Sequence, residues 1–260
     1  SISYSFADGA AIPYITASEQ STVISGQGAE ITAGNIASQG AFDTSELQEI
    51  GIKGSLIDNA LYYAISVYEQ ERTDFSAQSI VTNQTTTSEG AEVELRWVVN
   101  ENLLVTAGYS QIEVINLNTR TNGQFSFLGS DDLPNIPPEF LYGGVIFSVI
   151  APSDGRRAGM PENIFSMTAT YDFGNGVALS GSLVDVDAVK SSLSGSVDLP
   201  AYTLLNLGVS YETEKWSVNV TGKNITDERY FRANFPNLFG GTIVLPELPR
   251  HFQAKFSYKF

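Results

Sequence analysis

Apolar and polar side chains alternate residue by residue along most of this chain, and that period constrains the fold more than any other feature. Phe252, Ala254, Phe256, Tyr258 and Phe260 interleave with His251, Gln253, Lys255, Ser257 and Lys259. Phe165, Met167, Ala169, Tyr171 and Phe173 interleave with Ser166, Thr168, Thr170 and Asp172. The same holds for Ala91, Val93, Leu95 and Trp97 against Glu92, Glu94 and Arg96, for Leu205 to Tyr211, and for Trp216, Val218 and Val220. Successive side chains of a strand point to opposite sides, so a period of two marks strands with one apolar face. The fold class is all-β and antiparallel.

A soluble sandwich and a transmembrane barrel both satisfy this pattern. The charges separate them: Glu92, Glu94 and Arg96 share one face in mid-strand, where a barrel aims them into a wet lumen. Connection lengths separate them further. Short turns are expected at Asp58-Asn59, Asn100-Glu101-Asn102, Gly174-Asn175-Gly176 and Glu212 to Lys215. Between them fall long connections at about 116–161 and 224–249 and a medium loop at about 188–200. Alternating short and long connections are what a membrane barrel with short periplasmic turns and long external loops produces. The expectation is an antiparallel transmembrane β-barrel segment of about ten strands, a single domain over 1–260, with strands near 46–57, 60–72, 88–99, 103–115, 162–173, 177–187, 201–211, 215–223 and 250–260. A further strand-like stretch opens the chain at Ser1 to Phe6.

Phe140 to Ile150 is apolar and long enough to be a strand, yet counting it as one breaks the alternation of connections. It is therefore placed inside the external loop 116–161 as a short helix, started by Pro137-Pro138-Glu139.

Composition supports the membrane reading by exclusion. The chain is 42% hydrophobic and only 17% charged, too apolar for a disordered segment. No apolar run is long enough for a transmembrane helix, whereas a barrel strand needs only about 10 residues, half of them apolar. A net charge of −15 excludes a nucleic-acid partner, and the absence of cysteine excludes disulfides and thiol chemistry. No signal peptide precedes the first strand-like stretch, so either one was cleaved or the sequence is a piece of a larger protein.

Trp216 to Tyr230, with Asn224-Ile225-Thr226-Asp227 at its centre, resembles the penultimate-strand pattern of TonB-dependent outer-membrane receptors, and Pro249 to Phe260 resembles their last strand with its terminal Phe. Leu199 to Asn206, Thr168 to Phe173 and Glu49 to Gly54 are similar to further family segments, so the resemblance runs from about residue 46 to the end. It implies the carboxyl-terminal part of a bacterial outer-membrane barrel of about 22 strands with a plugged lumen. It also implies uptake of a scarce solute such as a ferric siderophore. The family's plug domain and energy-coupling box have no counterpart here, so contact with TonB would run through that absent region. No enzyme activity and no cofactor are implied. The alternative is a stand-alone small outer-membrane barrel with adhesive or enzymatic loops, which pairing of the first strand with the last would reveal. A soluble sandwich would stay in solution without detergent.

Tyr230, Phe231, Arg232, Phe235 and Phe239 in the loop 224–249 are candidates for clasping a planar or anionic ligand by stacking and charge-assisted hydrogen bonds, or for packing the loop. Arg156 and Arg157 are candidates in the other long loop. Phe260, Tyr258 and Phe256 resemble the signal read by the barrel-assembly machinery, and the same rings suit an aromatic girdle against outer-membrane lipid. Glu92, Glu94 and Arg96 suggest an ion-pair ladder or a structural lining of the lumen. His251 would need acidic partners to be catalytic, and Asp131-Asp132 and Asp185/Asp187 lack the spacing of a calcium loop. No metal site is expected.

Overall fold

The computed structural model describes residues 1–23, 42–78, 80–116, 125–126, 146–147, 155–156, 159–191, 197–233 and 244–260. Ten long strands follow one another in a single antiparallel meander. They are β1 (Ile12–Val23), β2 (Phe42–Leu56), β3 (Leu61–Gln78), β4 (Ile80–Val98), β5 (Leu103–Asn116), β6 (Asn163–Asp172), β7 (Val177–Val186), β8 (Tyr202–Glu212), β9 (Trp216–Lys223) and β10 (His251–Tyr258). Among the described residues β1 and β10 do not pair with each other, and the sheet is open.

The turns that join β2–β3, β4–β5, β6–β7 and β8–β9 all lie at one end of the sheet, and local chemistry makes them tight. Ile57, Asp58 and Asn59 take left-handed backbone (φ 54°, 51° and 66°), a region that Asn and Asp tolerate best. Asn100 Oδ1 accepts from the N–H groups of Asn102 and Leu103, and Asp172 Oδ1 accepts from Gly174. Thr213 Oγ1 donates to the carbonyl of Trp216.

Three expectations change. The opening residues do not form a wall strand. They are extended as expected but form a short edge hairpin: Ile2–Ser3 pairs with β1, Tyr4 and Phe6 donate to the Pro13 and Ala11 carbonyls, and the chain turns back through Ala7, Asp8 and Gly9, all at positive φ. The wall begins instead at Ile12. The stretch left unassigned between the expected strands 60–72 and 88–99 is a continuation of the ladder, with Gln78 opposite Ile80. Its run of Thr, Val and Ile suits extended backbone, so β3 and β4 reach 18 and 19 residues. Of the expected helix at 140–150, Ile146–Phe147 is a short strand paired with Phe125–Ser126; the rest lies outside the described residues.

Register shows why the sheet has two faces. Residues directly opposite each other point to the same side. Ile15, Ile50, Val67 and Ala91 follow one another across four strands. Tyr109, Phe165 and Asp185 continue that side, as do Val105, Ala169, Gly181 and Leu207. The series closes with Val209, Val220 and Ala254. Large apolar residues on it stay exposed, Ile50 at 58% and Phe256 at 66%, although no core covers them. A single-layer sheet with a continuous bare apolar side has hydrocarbon as its natural solvent. Along β6 this side runs from Phe165 to Phe173, about 27 Å at ~3.4 Å per residue. At a tilt of about 40° that is roughly 21 Å of height, close to the ~25 Å band of outer-membrane barrels.

The band ends abruptly toward the long connections. There the same side carries Glu19 opposite Glu46 opposite Glu71, and Glu69 opposite Glu89 opposite Glu113. The boundary continues on β6 and β7, where Tyr109 Oη donates to Asn163 Oδ1 and Asn163 Nδ2 to Asp187 Oδ2, each at 2.6 Å. Like charges placed directly opposite repel; only bulk water makes such rows tolerable.

Candidate functional site

The second face begins with small polar and charged positions. Glu92, Glu94 and Arg96 share it, opposite Ser66, Ala64 and Tyr62 on β3 and Ser110, Gly108 and Thr106 on β5. The sequence placed the three charges together correctly, but no ion pair joins them. Neighbours two apart on a strand stand about 7 Å from each other. Across the sheet this face changes in character. On β1–β4 it carries Tyr14, Glu49, Lys53, Tyr62, Tyr68 and the three charges, with Lys53 Nζ 5.3 Å from the Tyr14 ring centre. On β5–β8 it carries Thr106, Gly108, Ser166, Thr168, Ser180, Ser182 and Gly208. Where the two halves meet, Tyr62, Glu94 and Arg96 overhang Thr106, Gly108 and Thr168, leaving a recess of about 610 Å³.

Two tyrosines on this face lie flat over glycines of the neighbouring strand. A Cβ on Gly51 would sit 2.6 Å from the Tyr14 ring, and one on Gly90 equally close to Tyr68. Each pair is directly opposed in register. On the apolar face Phe252 covers Gly222 in the same manner.

The second feature is at the long-connection end, where the chain leaves β9 and returns to β10. Phe231–Ala233 pairs with Val244–Pro246, giving the two arms a short ladder. Below it a recess of about 470 Å³ is walled by Asp227 to Phe231 on one arm and by Pro246, Glu247 and Pro249 on the other. Tyr230 packs on Tyr202 at 4.8 Å between ring centres. Burial, and secondarily the carboxylate of Glu247, push the Tyr230 phenol above its ordinary range. The Arg232 guanidinium hydrogen-bonds to Glu247, which holds its proton more firmly still.

Of the sequence candidates, Tyr230, Phe231 and Arg232 therefore gather at one place, while Phe235, Phe239 and Arg157 lie outside the described residues. Arg156 is remote from them: it pairs with Glu162 at 2.5 Å, opposite Ile115 of β5. Sequence reasoning missed Tyr202 and Glu247. Tyr202 read only as a strand opening, although its place beside the loop was available from the β8–β9 connection. Nothing local marked Glu247.

Tyr211, Trp216 and Phe256 form a ring series on the apolar face, 5.4 and 6.2 Å apart, and Tyr258 meets Phe260 at 5.4 Å. His251 Nδ1 lies 2.9 Å from the Pro249 carbonyl rather than beside a carboxylate. Asp185 accepts from Thr203 and Asp187 from Asn163; Asp131-Asp132 lies outside the described residues.

Comparison with known proteins agrees with this geometry. The ferrioxamine receptor of Yersinia enterocolitica is 23% identical over 202 residues, which are 73% of this chain and 24% of that protein. The siderophore receptor PiuA of Acinetobacter baumannii superposes with a TM-score of 0.73 at 14% identity, over 98% of this chain and 34% of its own. The ferric yersiniabactin uptake receptor FyuA of Yersinia pestis gives 0.69 at 13%, over 99% and 36%. The chain thus spans about a quarter to a third of these relatives. The family model for the β-barrel of TonB-dependent receptors matches residues 1–225, so the likeness starts well before residue 46. With a wall apolar on one side and polar on the other, turns sorted to one end, and that match, the chain belongs to the TonB-dependent receptor β-barrel family of the bacterial outer membrane.

Proposed function

We propose that this chain is a section of the wall of a TonB-dependent receptor that imports an iron chelate of the siderophore class. The observation that carries the proposal is the two-faced wall, apolar toward lipid and polar toward a lumen, in a chain of this family. The relatives named as receptors for ferrioxamine and ferric yersiniabactin support the ligand class. In this reading the tight turns face the periplasm and the connections 116–161 and 224–249 face outward. Tyr230, Phe231 and Arg232 at the recess, together with Phe235, Phe239, Arg156 and Arg157, supply stacking surface and positive charge to the ligand. Phe256, Tyr258 and Phe260 sit at the lipid boundary and serve the assembly machinery. TonB acts through the receptor's plug region.

The test is uptake of iron-55 presented as ferrioxamine B and as a panel of catecholate and mixed-ligand chelates, by cells with and without the gene, under iron limitation. Loss of uptake of one chelate, restored by the gene, is the expected result. Unchanged uptake and growth across iron chelates would overturn the assignment.

A further inference from the structure

Asn224 is only 3% exposed although it sits at the mouth of a long connection. Its backbone is left-handed (φ 51°), a conformation Asn adopts more readily than most residues. Every polar atom of its side chain is engaged, and with both arms of the connection. Nδ2 donates to the Glu228 carbonyl at 2.8 Å and to the Leu248 carbonyl at 3.4 Å, while Oδ1 accepts from the Glu228 N–H at 2.8 Å. Its backbone N–H donates to Asn206 Oδ1 on β8, and Asn206 Nδ2 donates to Ser182 Oγ on β7. A second tie lies beside it: Asp227 Oδ1 accepts from the Arg250 N–H at 2.9 Å, and the Arg250 guanidinium donates to the Ile225 carbonyl.

We infer that Asn224 is a positioning residue that latches the departing arm (224–228) to the returning arm (248–250) and so sets the width of the loop recess. The recess walls, Asp227 to Phe231 and Pro246 to Pro249, are the residues just beyond the latch. The β9–β10 ladder ends at Lys223 opposite His251, and the short ladder starts at Phe231 opposite Pro246, extended by the Glu247 N–H donating to the Tyr230 carbonyl. Between these points side-chain bonds join the arms, and those of Asn224 set their spacing. The inference rests on the reading of the recess as part of the ligand site.

The chemistry gives it a distinctive test. Asn224→Asp keeps an acceptor for the Glu228 N–H but turns a carboxylate toward two carbonyl oxygens, in a site that disfavours charge. Protonated, the same side chain donates again and restores one bond. The charged and titratable groups flanking it and its partner Leu248 along the chain are Lys223, Asp227, Glu228, Glu247, Arg250 and His251. The wild type is measured at each pH as the control.

Spin labels are placed at Arg229→Cys and Leu245→Cys in the full-length receptor, with any other cysteine replaced, and distances are read by pulsed electron resonance. Expected is a narrow distribution in the wild type at pH 5 and pH 8, and a broad one in Asn224→Ala at both. Asn224→Asp is expected to be broad at pH 8 and narrow at pH 5. Binding of ferrioxamine B, the probe, should weaken roughly tenfold in Asn224→Ala if the closed recess falls to about a tenth of the population. An Asp variant with the same distribution at both pH values overturns the latch. So does loss of the assembled, heat-modifiable barrel in both variants, because the residue would then serve the wall rather than the loop. A wild type that binds no ferrioxamine B while the distances behave as expected overturns the ligand and leaves the latch standing.

Discussion

Placing one arginine on either side of β6 tests the two-faced wall directly. Ala169 lies on the apolar face, midway between Phe165 and Phe173, opposite Val105 and Gly181. Thr168 lies one residue away on the polar face, opposite Thr106 and Ser182. Neither substitution empties a cavity, because the sheet is a single layer, so the solvent on each side decides the outcome. An arginine at the bilayer midplane of a barrel costs about 2–4 kcal/mol, whereas one in a wet lumen costs near zero. At about 1.4 kcal/mol per tenfold, Ala169→Arg should shift the folding equilibrium by roughly 30- to 700-fold and Thr168→Arg by less than about fivefold. The assay is urea-driven unfolding of the full-length receptor from phosphatidylcholine vesicles, followed by tryptophan fluorescence, with heat-modifiable mobility as the check on assembly. Equal losses, or a larger loss for Thr168→Arg, would refute the facing of the whole sheet, because a slip of one residue inverts every strand.

Gly90→Val should force the Tyr68 ring off its seat and destabilise by about 1–3 kcal/mol, as overpacking does, and Tyr68→Ala in the same chain should recover part of that loss; thermal unfolding of the two single variants and the double variant measures the coupling. Tyr230 should ionise above the ordinary tyrosine range. The unfolded chain therefore deprotonates first as pH rises through about 10, the stability that this group contributes is complete below that pH and is lost above it, and a difference titration at 295 nm against Tyr230→Phe should show the displaced phenol.

Element type and face were legible in the sequence because both depend on local period. Phe165 to Phe173 and Ala91 to Trp97 each needed only their own neighbours to declare a strand and an apolar side. Turn positions were legible for the same reason, since Asp58-Asn59 and Gly174-Asn175-Gly176 carry their own backbone preferences. Three things were not local. The stretch Ser1 to Phe6 read as strand because Ile2, Tyr4 and Phe6 alternate as well as any wall segment does, and nothing in that period announced the turn at Ala7 to Gly9 that folds it back as a short edge hairpin. The ladder through residue 80 looked like loop because its sequence, rich in Thr, Ser, Asn and Gln, shows no apolar–polar alternation. The recess was half visible: Tyr230, Phe231 and Arg232 stood out as aromatic and basic residues in a long connection. Their partners Tyr202 and Glu247 come from 28 residues upstream and 15 downstream, and only the folded register brings them in.

The two rows of glutamates above the apolar band have a mechanical consequence. Six carboxylates on β1–β5 stand in these two rows, offset by two residues on β3 where Glu71 and Glu69 meet, at the outer end of the apolar side. Lowering the wall by one pair of residues would draw a whole row into lipid, at a cost that adds across the strands. Bilayer mismatch costs only fractions of a kcal/mol per ångström. The barrel therefore floats at a fixed draught, and when membrane thickness changes it is the lipid that deforms around this waterline.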